Sequence, residues 1–201
     1  QYLLLAEKVG AQQAQLREGN LRRIAIEYHG DILQYATSPM TAALLKGAIS
    51  SLSDGPVSYV NAPLFAQKRG GTLDETRKSD HQDYANLMTV QYETSEAATS
   101  ISATVFGSRD ARVFHIDQFE VKAKLEGNML FCCNKDVTGV VGWMGSLLAD
   151  ENINIADMAL GRESRGGLAI MVINIDTPLG DDALGRISSA PQVFWAKQAR
   201  M

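Results

Sequence analysis

The apolar positions keep a helical period at the start of the chain, change to period two in the middle, and then alternate between the two. Leu4, Leu5, Val9 and Leu16 recur near helical spacing until Gly19, a natural stop, which predicts an amphipathic helix over residues 2–18. In "RRIAIEYHGD", Ile24, Ile26 and Tyr28 alternate before Gly30-Asp31 and read as a strand ending in a turn. "TSPMTAALLKGAISSL" offers Ser38 as N-cap and Pro39 at the first helical position, where a missing N–H costs nothing. "VSYVNAPLFAQKRGG" reads as a short strand, Val57 to Val60, followed by a helix from near Pro63 to Gly70-Gly71. The following "GGTLDET" reads as a mobile loop flanked by the surface charges Lys68, Arg69, Arg77 and Lys78. From Tyr84 to Leu125 the period is two, through Met88, Val90 and Tyr92, then Ile101, Ala103 and Val105, then Val113 and Phe114, then Phe119, Val121 and Ala123. Turns at Thr94-Ser95, "GSRDA" and Asp117-Gln118 separate these runs into three or four antiparallel strands.

Gly127 marks a boundary. Beyond it the order is strand (129–135), helix (139–150), strand (152–161), turn at "SRGG", strand (168–176), helix (181–188), strand (193–197). This βαββαβ order predicts a ferredoxin-like module, a four-stranded antiparallel sheet with two helices on one face. "AIMVINI" is apolar on both faces of its strand, so the second face needs a cover, either a second copy or the other domain. The expected class is α+β with two domains, residues 1–126, mixed helix and antiparallel strand, and residues 127–201.

Composition narrows the function. With 201 residues, 45% hydrophobic, 21% charged and a net charge of −4, the chain is a globular protein without the basic surface of a nucleic-acid binder. No run approaches the ~20 apolar residues of a membrane span, and no signal peptide opens the chain, so a cytoplasmic site is expected. The chain begins without methionine inside a helical segment, as expected of a piece of a longer protein. Cys132 and Cys133 are adjacent on a strand and point to opposite faces, which argues against a disulfide or metal site. His29, His81 and His115 have no metal-ligand spacing, and no nucleophile–base pattern stands out.

The candidate chemistry concentrates in Asn134 to Met158. Gly139, Gly142 and Gly145 cluster at a helix start, where each costs about 1 kcal/mol relative to alanine. Either a ligand or a neighbouring chain approaches the backbone there, or the helix packs tightly on the sheet. The glycines do not form G-x-G-x-x-G, so a dinucleotide loop is not supported. Asn134 and Asp136 end one strand, and Asn152 and Asn154 start the next, so all four could lie near one edge of the sheet as a pocket for a small zwitterion. Capping and turn formation is the alternative. Arg109, Arg112, Lys122 and Lys124 fall on neighbouring strands or their turn, where Arg112 and Lys124 could hold an anion or form part of a solvated face.

"NMLFCCNKDVTGVVGWMGSLLADENINIADMALGR…GGLAIMVINID", with D-x-x-G-V-V-G and N-I-x-x-M-x-x-G-R, resembles an ACT domain, an amino-acid-sensing module. Upstream, "LAEKVGAQQAQLREG", "YVNAPLFAQKRG" and "ATVFGSRDARVFHIDQFEVKAKLEGNML" resemble the intervening, or allosteric substrate-binding, domain of long-form D-3-phosphoglycerate dehydrogenase. The resemblance implies the C-terminal regulatory part of an enzyme that oxidises 3-phosphoglycerate with NAD at the head of serine synthesis. It also implies L-serine as feedback inhibitor and a homo-oligomer joined through the ACT domain. The fragment itself would carry no catalytic residue, metal or cofactor. The resemblance places the effector at Asn134, Asp136, Val137, Thr138 and Gly139 of one chain with Asn154 of a partner, and an anion or phosphorylated substrate at Arg112 and Lys124. Thr138 stands where the family usually has proline, and Asn134 where it has histidine or an aromatic. Other readings are a subunit of the iron–sulfur L-serine dehydratase, whose Ser-rich stretch is missing here, and a purely structural assembly module.

Overall fold

The structure is a computed structural model and describes residues 1–50, 53, 55–68, 71–79, 84–107 and 110–201. Arg69, Gly70, His81 and Arg109 lie outside the described residues. The chain divides into two units, Gln1–Asp117 and Gln118–Met201. The strand Phe119–Lys124, which precedes the Gly127 boundary, goes with the second unit.

The first unit holds helix α1 (Tyr2–Leu16), strand β1 (Leu21–Gly30), helices α2 (Thr37–Ser50) and α3 (Ala62–Lys68), and strands β2 (Thr72–Lys78), β3 (Asn86–Thr94), β4 (Ala98–Phe106) and β5 (Asp110–Ile116). Its strands run in the order β2-β1-β3-β4-β5, with β2 parallel to β1 and the other pairs antiparallel. The period-two residues form rows across the sheet. Ile24 is opposite Tyr92, Ile26 opposite Val90 and Tyr28 opposite Met88, and Val90 is in turn opposite Ile101. All seven are buried. Leu5, Val9 and Leu16 of α1 join the core, but Leu4 is exposed. Helices α1 and α2 meet where a Cβ on Gly10 would collide with the Leu44 carbonyl oxygen, and one on Gly47 with the Glu7 carbonyl oxygen. Only glycine permits that approach.

Three local expectations are corrected. Residues 57–60 form no strand, because the Asn61 side chain folds the segment into a turn. Its Oδ1 accepts the Ser58 N–H at 2.7 Å, its amide donates to the Pro56 carbonyl at 3.1 Å, and Val60 is 85% exposed. "TLDETRK" is an edge strand rather than a mobile loop. It is held by backbone pairing to β1 and by ion pairs from Arg23 to Asp74 at 2.5 Å and Lys78 to Glu27 at 3.1 Å. Helix α2 opens at Thr37, before Ser38, because Thr37 and Thr41 both donate to the Glu75 carboxylate, at 2.6 and 2.8 Å. Burial would raise the pKa of Glu75, but those bonds and Arg77 hold it below the ordinary carboxylate value.

The second unit contains strands β6 (Phe119–Lys124) and β7 (Asn128–Lys135), helix α4 (Val140–Asp150), strands β8 (Ile155–Arg162) and β9 (Leu168–Ile175), helix α5 (Asp181–Ser188) and strand β10 (Val193–Arg200). Four of its strands make an antiparallel sheet in the order β10-β7-β9-β8, connected βαββαβ. Both helices pack on one face, where Leu130, Cys132, Met171 and Ile173 meet Met144 and Leu148 of α4 and Ala183 and Ile187 of α5. The opposite face, with Met129, Phe131, Ile170 and Val172, is buried as well. Part of its cover within the unit is β6. A Cβ on Gly161 would meet the Glu120 carbonyl oxygen and lie 2.7 Å from Val121 Cγ1, while Asn174 donates to the Lys124 and Glu126 carbonyls at 3.2 and 2.8 Å. Strand β8 starts at Ile155, later than expected. Asn152 instead adopts φ +56 and terminates α4, its N–H reaching the Ala149 carbonyl at 2.9 Å while Ile153 N–H reaches that of Leu148.

Candidate functional site

A cleft of about 260 Å³ opens in the second unit where β7 ends and α4 begins. Side chains alternate along strands, so Asn134 lies on the helix-covered face with Leu130 and Cys132, and the register sets Asn134, Ala169 and Arg162 in one row across β7, β9 and β8. Met171 and Leu160 continue the floor, Val140 and Val141 form the helical wall, and Asp136 stands at the strand end.

The polar groups here are unevenly satisfied. Asn134 is 1% exposed, and its amide donates to the Lys135 carbonyl at 2.8 Å, yet its Oδ1 is buried and has no hydrogen-bond partner among the described residues. Such buried acceptors are uncommon and call for an explanation. Asp136 Oδ2 accepts the Gly166 N–H at 3.0 Å, and Arg162 Nη1 stands 3.5 Å away. The Asp136 N–H donates to the Gly167 carbonyl at 2.9 Å, which ties the strand end to the β8–β9 turn. Helix α4 starts after Gly139, whose φ of +89 suits glycine, and no side chain caps it. The Val140 N–H reaches the Val137 carbonyl at 3.5 Å and the Trp143 N–H the Gly139 carbonyl at 2.8 Å, so the donors that α4 offers beside the cleft are the amides between them, of Val141 and Gly142. An acceptor, a carboxylate, a guanidinium and a helix N-terminus in one cleft can hold a ligand carrying both an ammonium and a carboxylate.

Asn134 and Asp136 are brought together here. Val137 and Thr138 are exposed on the loop between them and Gly139. Asn152 and Asn154 lie elsewhere. Strand β8 runs parallel to β7, so Ile155 is level with Asn128 through Ile175, and its N-terminal end is at the far end of the sheet. Asn154 there donates to Asp176 Oδ2 at 2.9 Å. Within one chain the four residues share no edge, and Asn154 can join the cleft only from a second copy. Arg162, Leu160 and the Gly166 N–H went unnoticed as site candidates, although "GR" before "SRGG" places a cation at a strand end beside a turn.

A Cβ on Gly139, Gly142 or Gly145 would meet nothing within 4 Å. Among the described residues these glycines serve no tight packing against the sheet. In the first unit Arg112 donates to both oxygens of Asp110, at 3.1 and 3.0 Å. In the second, Lys124 lies 3.9 Å from Glu126 and Lys122 lies 3.7 Å from Glu120. His29 is buried and 3.3 Å from Glu27.

Comparison with known proteins gives a match of residues 1–117 to the D-3-phosphoglycerate dehydrogenase intervening domain, more than half of the chain and ending where the first unit ends. The chain belongs to the D-3-phosphoglycerate dehydrogenase family. Similarity extends through the second unit. The chain is 33% identical over 188 residues to D-3-phosphoglycerate dehydrogenase of Synechocystis sp., covering 93% of this chain and 34% of that protein. It is 31% identical over 196 residues to that of Bacillus subtilis, covering 98% and 37%. The Methanocaldococcus jannaschii enzyme is 28% identical over 192 residues, covering 96% and 36%. The chain thus spans about a third of the length of these curated relatives.

Proposed function

We infer that this chain is the regulatory part of a cytoplasmic D-3-phosphoglycerate dehydrogenase, and that its second unit is an ACT domain that binds L-serine as feedback inhibitor. The observation that carries the reading is the unpartnered Asn134 Oδ1 beside Asp136 in the cleft. Serine's ammonium would donate to Asn134 Oδ1 and the Asp136 carboxylate, and its carboxylate would take the α4 amides and Arg162. Asn154 from a second copy would close the cleft, so binding would join two subunits. A ligand seated in that way shifts the enzyme's states only by its differential affinity for them. Oxidation of 3-phosphoglycerate and the NAD that accepts its hydride belong, in this reading, to the part of the relatives that lies outside this chain. The helix-opening glycines here do not have the spacing of a dinucleotide loop.

The open face of Gly142 and Gly145 favours a second reading, in which α4 only receives another copy of the chain. Arg112 in the first unit and Lys124 in the second are each proposed as a contact for a phosphorylated anion, taken separately, with the ligand replacing the present carboxylate neighbour. Titration calorimetry with L-serine, run with glycine, L-alanine and 3-phosphoglycerate while light scattering follows dimer content, separates these readings. The expected result is saturation near one serine per chain, lost in Asp136→Ala with the fold intact. A well-folded dimer that takes up no serine would leave the assembly reading alone.

A further inference from the structure

The cleft at the start of α4 has two unlike ends. Its charged groups stand at the strand ends, where Asp136 Oδ2 and Arg162 Nη1 are 3.5 Å apart and their side chains are 29% and 62% exposed, within reach of a ligand from solvent. The next row on the same helix-covered face is apolar, with Leu160 of β8 opposite Met171 of β9. Two residues of strand separate the rows by about 6–7 Å. Val140 and Val141 of α4 form the wall. Leu160 is 56% exposed and Val141 40%, although both belong to the lining.

An α-amino acid carries its two charges on one carbon. Its ammonium pairs with Asp136 and its carboxylate with Arg162, an exchange of ion pairs that leaves neither protein charge without a partner. Among the described residues that line the cleft, the polar ones are Asn134, Asp136 and Arg162, all in or beyond the upper row. A hydroxyl placed over Leu160, Met171 and the two valines gives up water without gaining a hydrogen bond, whereas a methyl group placed there covers exposed apolar surface. The volume of about 260 Å³ equals the share of roughly eight or nine waters at ~30 Å³ each. Waters over an apolar floor have too few polar partners to be well held, so an apolar group gains affinity by displacing them. Serine's hydroxymethyl group covers little of that floor.

We propose that the cleft selects an aliphatic α-amino acid, of the size of valine or leucine, over its hydroxylated counterparts, and that Leu160 sets this preference. The inference rests on the reading of the cleft as an amino-acid site and names a further effector for it, held on the same charged pair as serine.

The test is titration calorimetry of the full chain with L-valine and L-threonine, which have the same shape and differ by a methyl for a hydroxyl, and with the corresponding pair L-2-aminobutyrate and L-serine. Valine should saturate near one per chain and bind about tenfold to a hundredfold more tightly than threonine, the range a hydrophobic pocket gives against an added hydroxyl. L-2-aminobutyrate should exceed serine in the same sense. Asp136→Ala should abolish valine binding. Leu160→Ser should weaken valine about tenfold and leave serine within about twofold. Leu160 is largely exposed, and circular dichroism checks the fold of both variants. Serine binding without valine binding would overturn the proposal and leave the serine reading intact. Valine binding without serine binding would uphold the proposal and remove serine as the effector. Threonine as tight as valine, a valine affinity untouched by Leu160→Ser, or no binding of either amino acid would overturn it, and the last result would also end the amino-acid reading of the cleft.

Discussion

A methyl group added at Gly10 or Gly47 runs into a carbonyl oxygen of the opposite helix, whereas one added at Gly142 or Gly145 meets nothing within 4 Å. All four glycines lie within helices and look alike in sequence. In the first unit the missing side chains let α1 and α2 touch backbone to backbone; in the second they leave a helix face bare. A helical glycine therefore signals a close approach only where a partner is identified. The largest expected effect tests the occupied pair. Gly47→Ala should cost about 3 kcal/mol, the upper end of overpacking penalties, because the obstacle is a helix carbonyl and not a flexible side chain. Urea unfolding followed by circular dichroism measures it. A loss below about 0.5 kcal/mol would mean that the helices separate easily, and the contrast with α4 would collapse.

The buried titratable groups sharpen the contrast at the next level. In the first unit burial pushes the Tyr28 hydroxyl up to about 12, against the hydrogen bond it shares with Thr41 at 3.0 Å. In the second, burial and then the neighbouring Cys133 push the Cys132 thiol up to about 12. Each group stays protonated in the folded chain at a pH where the unfolded chain has released its proton. Stability is thus complete below the unfolded pKa and falls as pH rises towards the folded one. The ordinary values are 9.0 for the thiol and 10.0 for the phenol, so the second unit weakens first. At about 1.4 kcal/mol per pH unit, it should have lost about 2 kcal/mol by roughly pH 10.5. Trp143 and Trp195 both lie in the second unit, so their fluorescence reports its unfolding separately. Cys132→Ala should delay the fall in the tryptophan signal, and Tyr28→Phe should leave that signal alone. The reverse pattern would contradict these assignments.

Legibility followed burial. The period-two runs around Val90, Ile101 and Val121, and the strands of the second unit, were readable because one face of each faces a core. "TLDETRK" was not, since Leu73 is its single apolar residue and gives no alternation, and its partner β1 is distant in sequence. Val57 and Val60 misled because a short apolar run resembles a strand even where an asparagine turns the chain. At the site, Asn134 and Asp136 came together as read because they share one strand end. Asn154 did not, since the α4 crossover carries the chain back and starts β8 level with the beginning of β7. Arg162 was hidden by the register, which nothing in the local sequence reveals.

The smallest expected effect returns to the bare face of α4. Gly145 lies inside the helix with open space around it, so Gly145→Ala should raise the unfolding free energy of the monomeric chain by up to about 1 kcal/mol, the propensity difference. The same substitution has the opposite consequence if a second copy seats its backbone against that face. There the added methyl would hold the surfaces apart, and dimer content at fixed concentration would drop while the monomer gained stability. Sedimentation and urea unfolding on one sample distinguish the cases. Higher stability with unchanged assembly means that copies do not meet at Gly145, and higher stability with weaker assembly means that α4 is where the copies meet.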